Sequence, residues 1–265
     1  MDRIALDFGF FHIYWYSIFI LLGVLCAVFV IYQEAKKQGM DKDQFFNMVF
    51  YTAIVAIIGA RLYYVLFNLN FYQKNPIHIF KIWEGGLAIH GGILAGLIFL
   101  IFYCKKNKIN LLKLLDIIVI GLILGQAIGR WGNFFNQEAY GGITTLEHLK
   151  SLFLPSFIIH GMYINGNYHE PTFFYESLWN LIGFFLLLLL RKKKKNLRVG
   201  QLTGFYFMWY SVARFMIEGM RTDSLMLGQF RIAQIVSIIL FIIGFYFYFL
   251  YKRKEKKLYR EEKLT

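Results

Sequence analysis

The sequence predicts an all-α polytopic membrane protein of about seven transmembrane helices with a small extracytoplasmic head. Three observations lead there. Of 265 residues, 58% are hydrophobic and only 17% are charged, whereas a soluble domain carries about a quarter charged. The apolar residues fall into runs of about 20, the length that crosses a hydrocarbon core of roughly 30 Å. The runs do not alternate apolar with polar residues, which excludes membrane strands.

The spans run approximately from Phe10 to Tyr32, Phe45 to Phe67, Leu87 to Cys104, Leu114 to Phe135, Thr172 to Leu190, Val199 to Ile217 and Ile232 to Tyr251. Met1 to Asp7 holds Asp2, Arg3 and Asp7, and no small-residue cleavage pattern follows Ala27. The first run is therefore expected to stay as a helix and not to be removed as a signal. The whole chain, 1–265, reads as a single integral membrane domain. The segment 137–171, between spans four and five, is too polar to span and reads as a head insertion. Its histidines His148, His160 and His169 are expected on a solvated surface, too scattered for a metal.

Orientation follows from Lys and Arg. The loops after spans one, three and five hold Lys36, Lys37, Lys42, Lys105, Lys106, Lys108, Lys113, Arg191 to Lys195 and Arg198, and seven more basic residues lie from Lys252 to Lys263. The opposite side holds only Arg3, Lys74, Lys81, Lys150 and Arg221. By the positive-inside rule the N-terminus is outside and the C-terminus cytoplasmic, which requires an odd number of spans. The formal net charge of +13 is thus spent on orientation and anionic lipid. No nucleic-acid-binding module accompanies it. Cys26 and Cys104 lie far apart in apolar runs, with no metal spacing, and no disulfide is expected.

Four basic residues remain: Arg61, Arg130, Arg214 and Arg231. A charge inside a span is costly and points to function by default, unless a long side chain reaches the interface. Combined with the topology, Tyr16, Arg61, His90, Arg130, Glu176 and Arg214 all lie within roughly 10 Å of the outer boundary. Asn133, Asn136, Glu176 and His90 are too short to snorkel, so a shared polar cavity is expected. Arg130, Asn133 and Asn136 repeat every three residues on one helix face, as Arg214, Glu218 and Arg221 do at four and three. Gly121, Gly125 and Gly129 form a small-residue stripe suited to close helix packing. Gly85, Gly86, Gly91 and Gly92 flank His90 and leave room for a headgroup. Asp116, near the inner end of span four, is expected to pair with a nearby Lys.

The sequence contains no zinc HExxH pattern, no P-loop and no GxSxG elbow. What remains is a pocket rich in Arg, Asn and His, open to the outer leaflet. Arginine forks suit phosphate, and a phospholipid headgroup is the phosphate at that depth.

The stretch Gly129-Arg130-Trp131-Gly132-Asn133-Phe134-Phe135-Asn136-Gln137-Glu138-Ala139-Tyr140-Gly141 resembles the signature of the prolipoprotein diacylglyceryl transferase family. His90-Gly91-Gly92 resembles its histidine motif, and Arg214 to Arg221 its C-terminal motif. Trp15-Tyr16, Gly59 to Leu62, and Pro171-Thr172 with Tyr175-Glu176 match in place and order; Ser17 stands where a glycine is common. The resemblance covers about Ile13 to Ile232. It implies seven spans with an outward head in the bacterial cytoplasmic (inner) membrane. It implies transfer of a diacylglyceryl group from phosphatidylglycerol to the lipobox cysteine in the signal peptide of a prolipoprotein, with no metal or cofactor; the partners it implies are these substrates and membrane lipid, and no nucleic acid.

On that resemblance His90, Arg130 and Arg214 are the expected catalytic residues. Arg130, Asn133, Asn136, Tyr16 and Arg61 are expected to bind phosphatidylglycerol. Glu138, Gly141, Glu176, Glu218 and Arg221 are expected to support them. A thiol with a reference pKa near 8.5 needs a base or a positive field to attack, and His90 is one candidate base. The arginines suit the charge that grows on the leaving phosphate. The rival reading is an outward-facing anion or lipid transporter. It predicts polar residues continuing to the inner face, and spans one, three, five and seven lack them there. A lipid-binding protein without catalysis is a third reading, separable by activity.

Overall fold

A computed structural model describes residues 2–222, 225–251, 258–262 and 264. Ten α-helices occur among the described residues: α1 Trp15–Lys37, α2 Lys42–Phe67, α3 Leu69–Lys74, α4 Ile89–Lys106, α5 Leu111–Asn136, α6 Leu146–Ser151, α7 Ser156–Gly161, α8 Thr172–Lys193, α9 Gln201–Met220 and α10 Ile232–Phe245. Strands are short: β1 Ile4–Asp7, β2 His12–Tyr14, β3 Ile143–Thr144, β4 Tyr163–Ile164, β5 Asn167–His169, β6 Met226–Leu227 and β7 Phe230–Arg231. The architecture is the all-α polytopic one expected from the sequence.

Among the described residues six helices are long and apolar enough to cross a membrane: α1, α2, α4, α5, α8 and α10, the last prolonged by a π-turn to Leu250. The sixth expected span, α9, forms a 20-residue helix, but Thr203, Ser211, Arg214 and Glu218 dilute its apolar character. Lipid-facing surface is evident from large apolar side chains left exposed: Leu21, Leu25 and Phe29 on α1 are 60%, 58% and 62% accessible. A water-soluble monomer rarely exposes such continuous patches.

The first span starts later than expected. Phe10 to Tyr14 belong to a hairpin, in which β1 and β2 pair antiparallel across a turn at Gly9. Hydrophobicity alone does not separate a strand of exposed aromatics from a helix start. Residues 252–257 and 263, which hold six of the seven basic residues of the expected cytoplasmic tail, lie outside the described residues.

The chain divides into two compact units, residues 1–31 with 115–262, and 32–114 with 263–265. In the first unit, the glycine stripe of α5 serves packing. A Cβ on Gly121 would stand 2.6 Å from the Ala27 carbonyl oxygen, and one on Gly125 3.1 Å from that of Gly23. Only hydrogen lets the backbones of α1 and α5 approach this closely. α8 and α9 are joined by a reciprocal pair of tryptophans: each indole N–H donates to the other's carbonyl at 3.0 Å, with the rings stacked at 4.4 Å. Asp116 accepts from the Gly200 and Thr203 backbone N–H groups at 2.5 and 2.8 Å and from the Thr203 hydroxyl at 2.7 Å. The carboxylate thereby satisfies orphan donors at the N-terminus of α9 and meets the positive end of its dipole, a part beyond the lysine pairing expected for it.

Residues 137–171 fold as a small layer of their own, a three-stranded sheet in the order β3-β5-β4 with α6 and α7. Its apolar core gathers Leu149, Leu154, Ile158, Ile159, Met162 and Ile164 against Phe134 and Phe173. His148 and His160 are exposed as expected. His169 is not: it is 8% accessible, and its Nδ1 lies 3.0 Å from the Gly141 carbonyl oxygen. Its position on the central strand β5 turns the ring inward, which a reading of loop polarity misses.

In the second unit α2 packs along α4. Asp41 caps α2 by accepting from the Asp43 and Gln44 N–H groups at 2.9 and 3.3 Å. The connection between α2 and α4 runs through α3 and two single 3-10 turns, Pro76–Ile79 and Ile82–Glu84.

Candidate active site

The first unit brings most of the expected site residues together. Glu176, on the second turn of α8, is 6% accessible. One of its oxygens meets Arg130 Nε; the other lies 3.1 Å from Arg214 Nη1. Glu218, 3% accessible, takes Arg214 Nη2 at 2.6 Å from one turn further along α9. Two guanidinium groups from two helices are thus locked by two buried carboxylates. Lone charges in apolar surroundings are costly, and paired ones are tolerated when each keeps good hydrogen bonds. The pairing fixes one edge of Arg130. Its Nη1 donates to Asn133 Oδ1 at 3.5 Å.

The asparagines lie on the same side of α5. Asn133 Nδ2 donates to Glu138 Oε1 at 2.8 Å and Asn136 Nδ2 to Glu138 Oε2 at 3.4 Å. Glu138 follows the end of α5, and the chain reverses there through two non-glycine residues with positive φ, Gln137 at 50° and Ala139 at 58°. Left-handed backbone at such residues is uncommon and is held by its surroundings. Here Thr172 Oγ1 donates to the Ala139 carbonyl at 2.5 Å. Tyr16 packs on Gly132, where a Cβ would stand 2.9 Å from the ring, and lies within electrostatic reach of Arg130 and Glu138.

Gly141 closes the signature stretch. Its N–H donates to the Glu170 carbonyl at 3.0 Å, and its backbone bridges that of Arg221. The end of α9 is so joined to the loop after α5. Glu170 escaped the sequence reading. It accepts from Tyr175 at 2.8 Å and sits 3.2 Å from His148 Nε2; its place directly before Pro171-Thr172 was the available signal. Arg231, the last of the four basic residues left over by the loop count, donates to the Glu218 carbonyl and so clasps β7 to α9.

Arg61 and His90 belong to the second unit. His90 is the second residue of α4, exposed, with its ring 6.4 Å from that of Tyr63. Arg61 is 5% accessible and donates to five carbonyl oxygens of the α2–α4 connection.

The family model for prolipoprotein diacylglyceryl transferase matches residues 3–250. The chain belongs to the prolipoprotein diacylglyceryl transferase family. Curated relatives named phosphatidylglycerol–prolipoprotein diacylglyceryl transferase agree. One from Halalkalibacterium halodurans is 51% identical over 96% of this chain and 87% of its own. One from Staphylococcus saprophyticus is 47% identical over 92% of this chain and 87% of its own. One from Bacillus cereus is 49% identical over 93% and 91%. Membership in a transferase family favours catalysis over the outward-facing transporter.

Proposed function

We propose that the chain transfers the diacylglyceryl group of phosphatidylglycerol to the thiol of a prolipoprotein's lipobox cysteine, the first step of bacterial lipoprotein maturation. The observation that carries this reading is the Arg130–Glu176–Arg214–Glu218 cluster: two arginine forks held rigid inside apolar helices. In the reaction the thiol sulfur attacks the glyceryl carbon next to the phosphate. A C–S bond forms as the C–O bond breaks, and glycerol phosphate leaves. The phosphodiester carries one negative charge and the leaving monoester gains a second. Donors fixed in advance stabilise such developing charge best, and Arg130 and Arg214 supply them. Asn133 and Asn136, oriented by Glu138, hold glycerol hydroxyls or phosphate oxygens. Tyr16 lines the same wall. His90 takes the thiol proton, so charge and protons balance without a metal or cofactor.

We place the protein in the bacterial cytoplasmic membrane, N-terminus and head outside, C-terminus in the cytoplasm. The basic loop asymmetry supports this, and a prolipoprotein signal peptide reaches the site from the membrane. The test uses purified protein, phosphatidylglycerol and a lipobox peptide, read by mass. The cysteine peptide should gain one diacylglyceryl group, and the same peptide with serine should not. A cysteine peptide left unmodified overturns the reading.

A further inference from the structure

We propose that Arg61 is a positioning residue for His90, acting through the loop 75–88 and not by gripping the lipid phosphate; this rests on the reading of His90 as a reacting group. A guanidinium has five N–H donors. For Arg61, Nε donates to the Ile79 carbonyl at 2.9 Å, and Nη1 to Gly85 and Gly86 at 2.6 and 2.9 Å. Nη2 donates to Lys81 at 3.3 Å and to His78. Every donor is used, and all the acceptors are backbone carbonyls of one connection. The guanidinium also lies 5.3 Å from the ring centre of Tyr72. A phosphate could take Arg61 only by releasing the loop.

The clamp leads directly to His90. Ala60, beside Arg61, accepts the Ala88 N–H at 3.0 Å. Two consecutive residues of α2 thus tether the chain at Gly85, Gly86 and Ala88, immediately before the first turn of α4. The loop is shaped to the arginine. Gly86 has φ of 75°, and a Cβ there would stand 2.5 Å from Arg61 Nη1 and 2.8 Å from the Tyr64 ring. On its far side the loop closes on itself, with His78 Nδ1 2.6 Å and Lys81 Nζ 3.3 Å from Glu84. Lysine, a point donor with three N–H groups, cannot reproduce a five-carbonyl clamp.

The experiment compares full-length Arg61→Lys, Gly86→Ala and His90→Gln with the natural protein, following transfer kinetics at varied phosphatidylglycerol and trypsin cleavage after Lys81. Arg61→Lys should speed trypsin cleavage after Lys81 and lower kcat about tenfold or more, while KM for phosphatidylglycerol stays within about twofold, the signature of lost positioning without lost ground-state binding. Gly86→Ala, which keeps the arginine but sets a Cβ against its guanidinium, should shift both readouts the same way. A raised KM in Arg61→Lys with Lys81 still protected overturns the proposal and makes Arg61 a phosphate ligand. Normal kcat in His90→Gln overturns the reading of His90 and the proposal with it; Lys81 protection that still depends on Arg61 then tells this failure from failure of the clamp.

Discussion

Arg214 Nη2 stands 2.6 Å from Glu218 Oε2, one turn apart on α9 and in a setting where the carboxylate is 3% accessible. Removing one partner of a buried ion pair leaves the other charge uncompensated, at a cost of roughly 3–5 kcal/mol. Glu218→Gln keeps the shape and removes the charge. It should lower the thermal midpoint of the detergent-solubilised protein and reduce transfer, because Arg214 then leans on Glu176 alone. An unchanged midpoint would show that the pair holds nothing.

Arg130 is fixed to Glu176 through Nε, and its Nη1 donates to Asn133 Oδ1 at 3.5 Å. Lysine would keep a charge and lose the second prong. Arg130→Lys should insert and fold, yet transfer should fall at least about tenfold, or about 1.4 kcal/mol in the barrier. Arg231→Lys is the comparison. Its residue binds the Glu218 carbonyl, so its loss should appear in stability more than in turnover per folded molecule. Equal turnover losses at both positions would assign Arg130 a structural part only.

Much of this was legible in the sequence because a bilayer imposes length and polarity on every span. The helices α2, α5 and α8 begin and end within a few residues of their expected bounds, and the i, i+3 and i, i+4 spacings placed Asn133 with Arg130 and Glu218 with Arg214. Which carboxylate holds which arginine was not legible. Glu176 lies 46 residues after Arg130 and 38 before Arg214, and only helix packing brings it to both. Arg61 looked equivalent to Arg130 by depth; its distinction comes from a loop whose carbonyls carry no sequence signal. His169 and the β1–β2 hairpin were missed for a related reason, since short strands leave little periodicity to read.

Glu84 supplies a pH test of the loop 75–88. The hydrogen bond from His78 holds its carboxyl below the usual value of 4.5, with Lys81 adding to the effect. A depressed folded value means that the contribution is present above the ordinary pKa and is lost as pH falls through the depressed one. Pepsin cleavage within 75–88 should therefore rise as pH falls through that depressed value, and Glu84→Gln should already be open at higher pH. Identical cleavage of the two proteins at each pH would rule the clasp out.

Among the described residues no group of three His, Cys, Asp or Glu is arranged to hold a metal ion. The proposed reaction moves one proton and one leaving group, both handled by side chains. Chelator treatment should leave transfer intact. Activity lost to a chelator and restored by zinc would require ligands that the described arrangement does not provide.

The last expectation concerns orientation, because the proposed site meets its peptide only if the head faces outward. The basis is electrostatic: basic residues near span ends are retained on the cytoplasmic side, and here they accumulate in the loops after spans one, three and five. The small sheet and apolar core of residues 137–171 give a folded platform on which single cysteines are tolerated at exposed points such as Phe153, 95% accessible. In intact cells a membrane-impermeant thiol reagent should label a cysteine at position 153 and should label one at position 193 only after the cells are opened. The opposite pattern would set the arginine cluster at the cytoplasmic leaflet, away from a translocated lipobox cysteine, and would remove the proposed reaction along with the proposed topology.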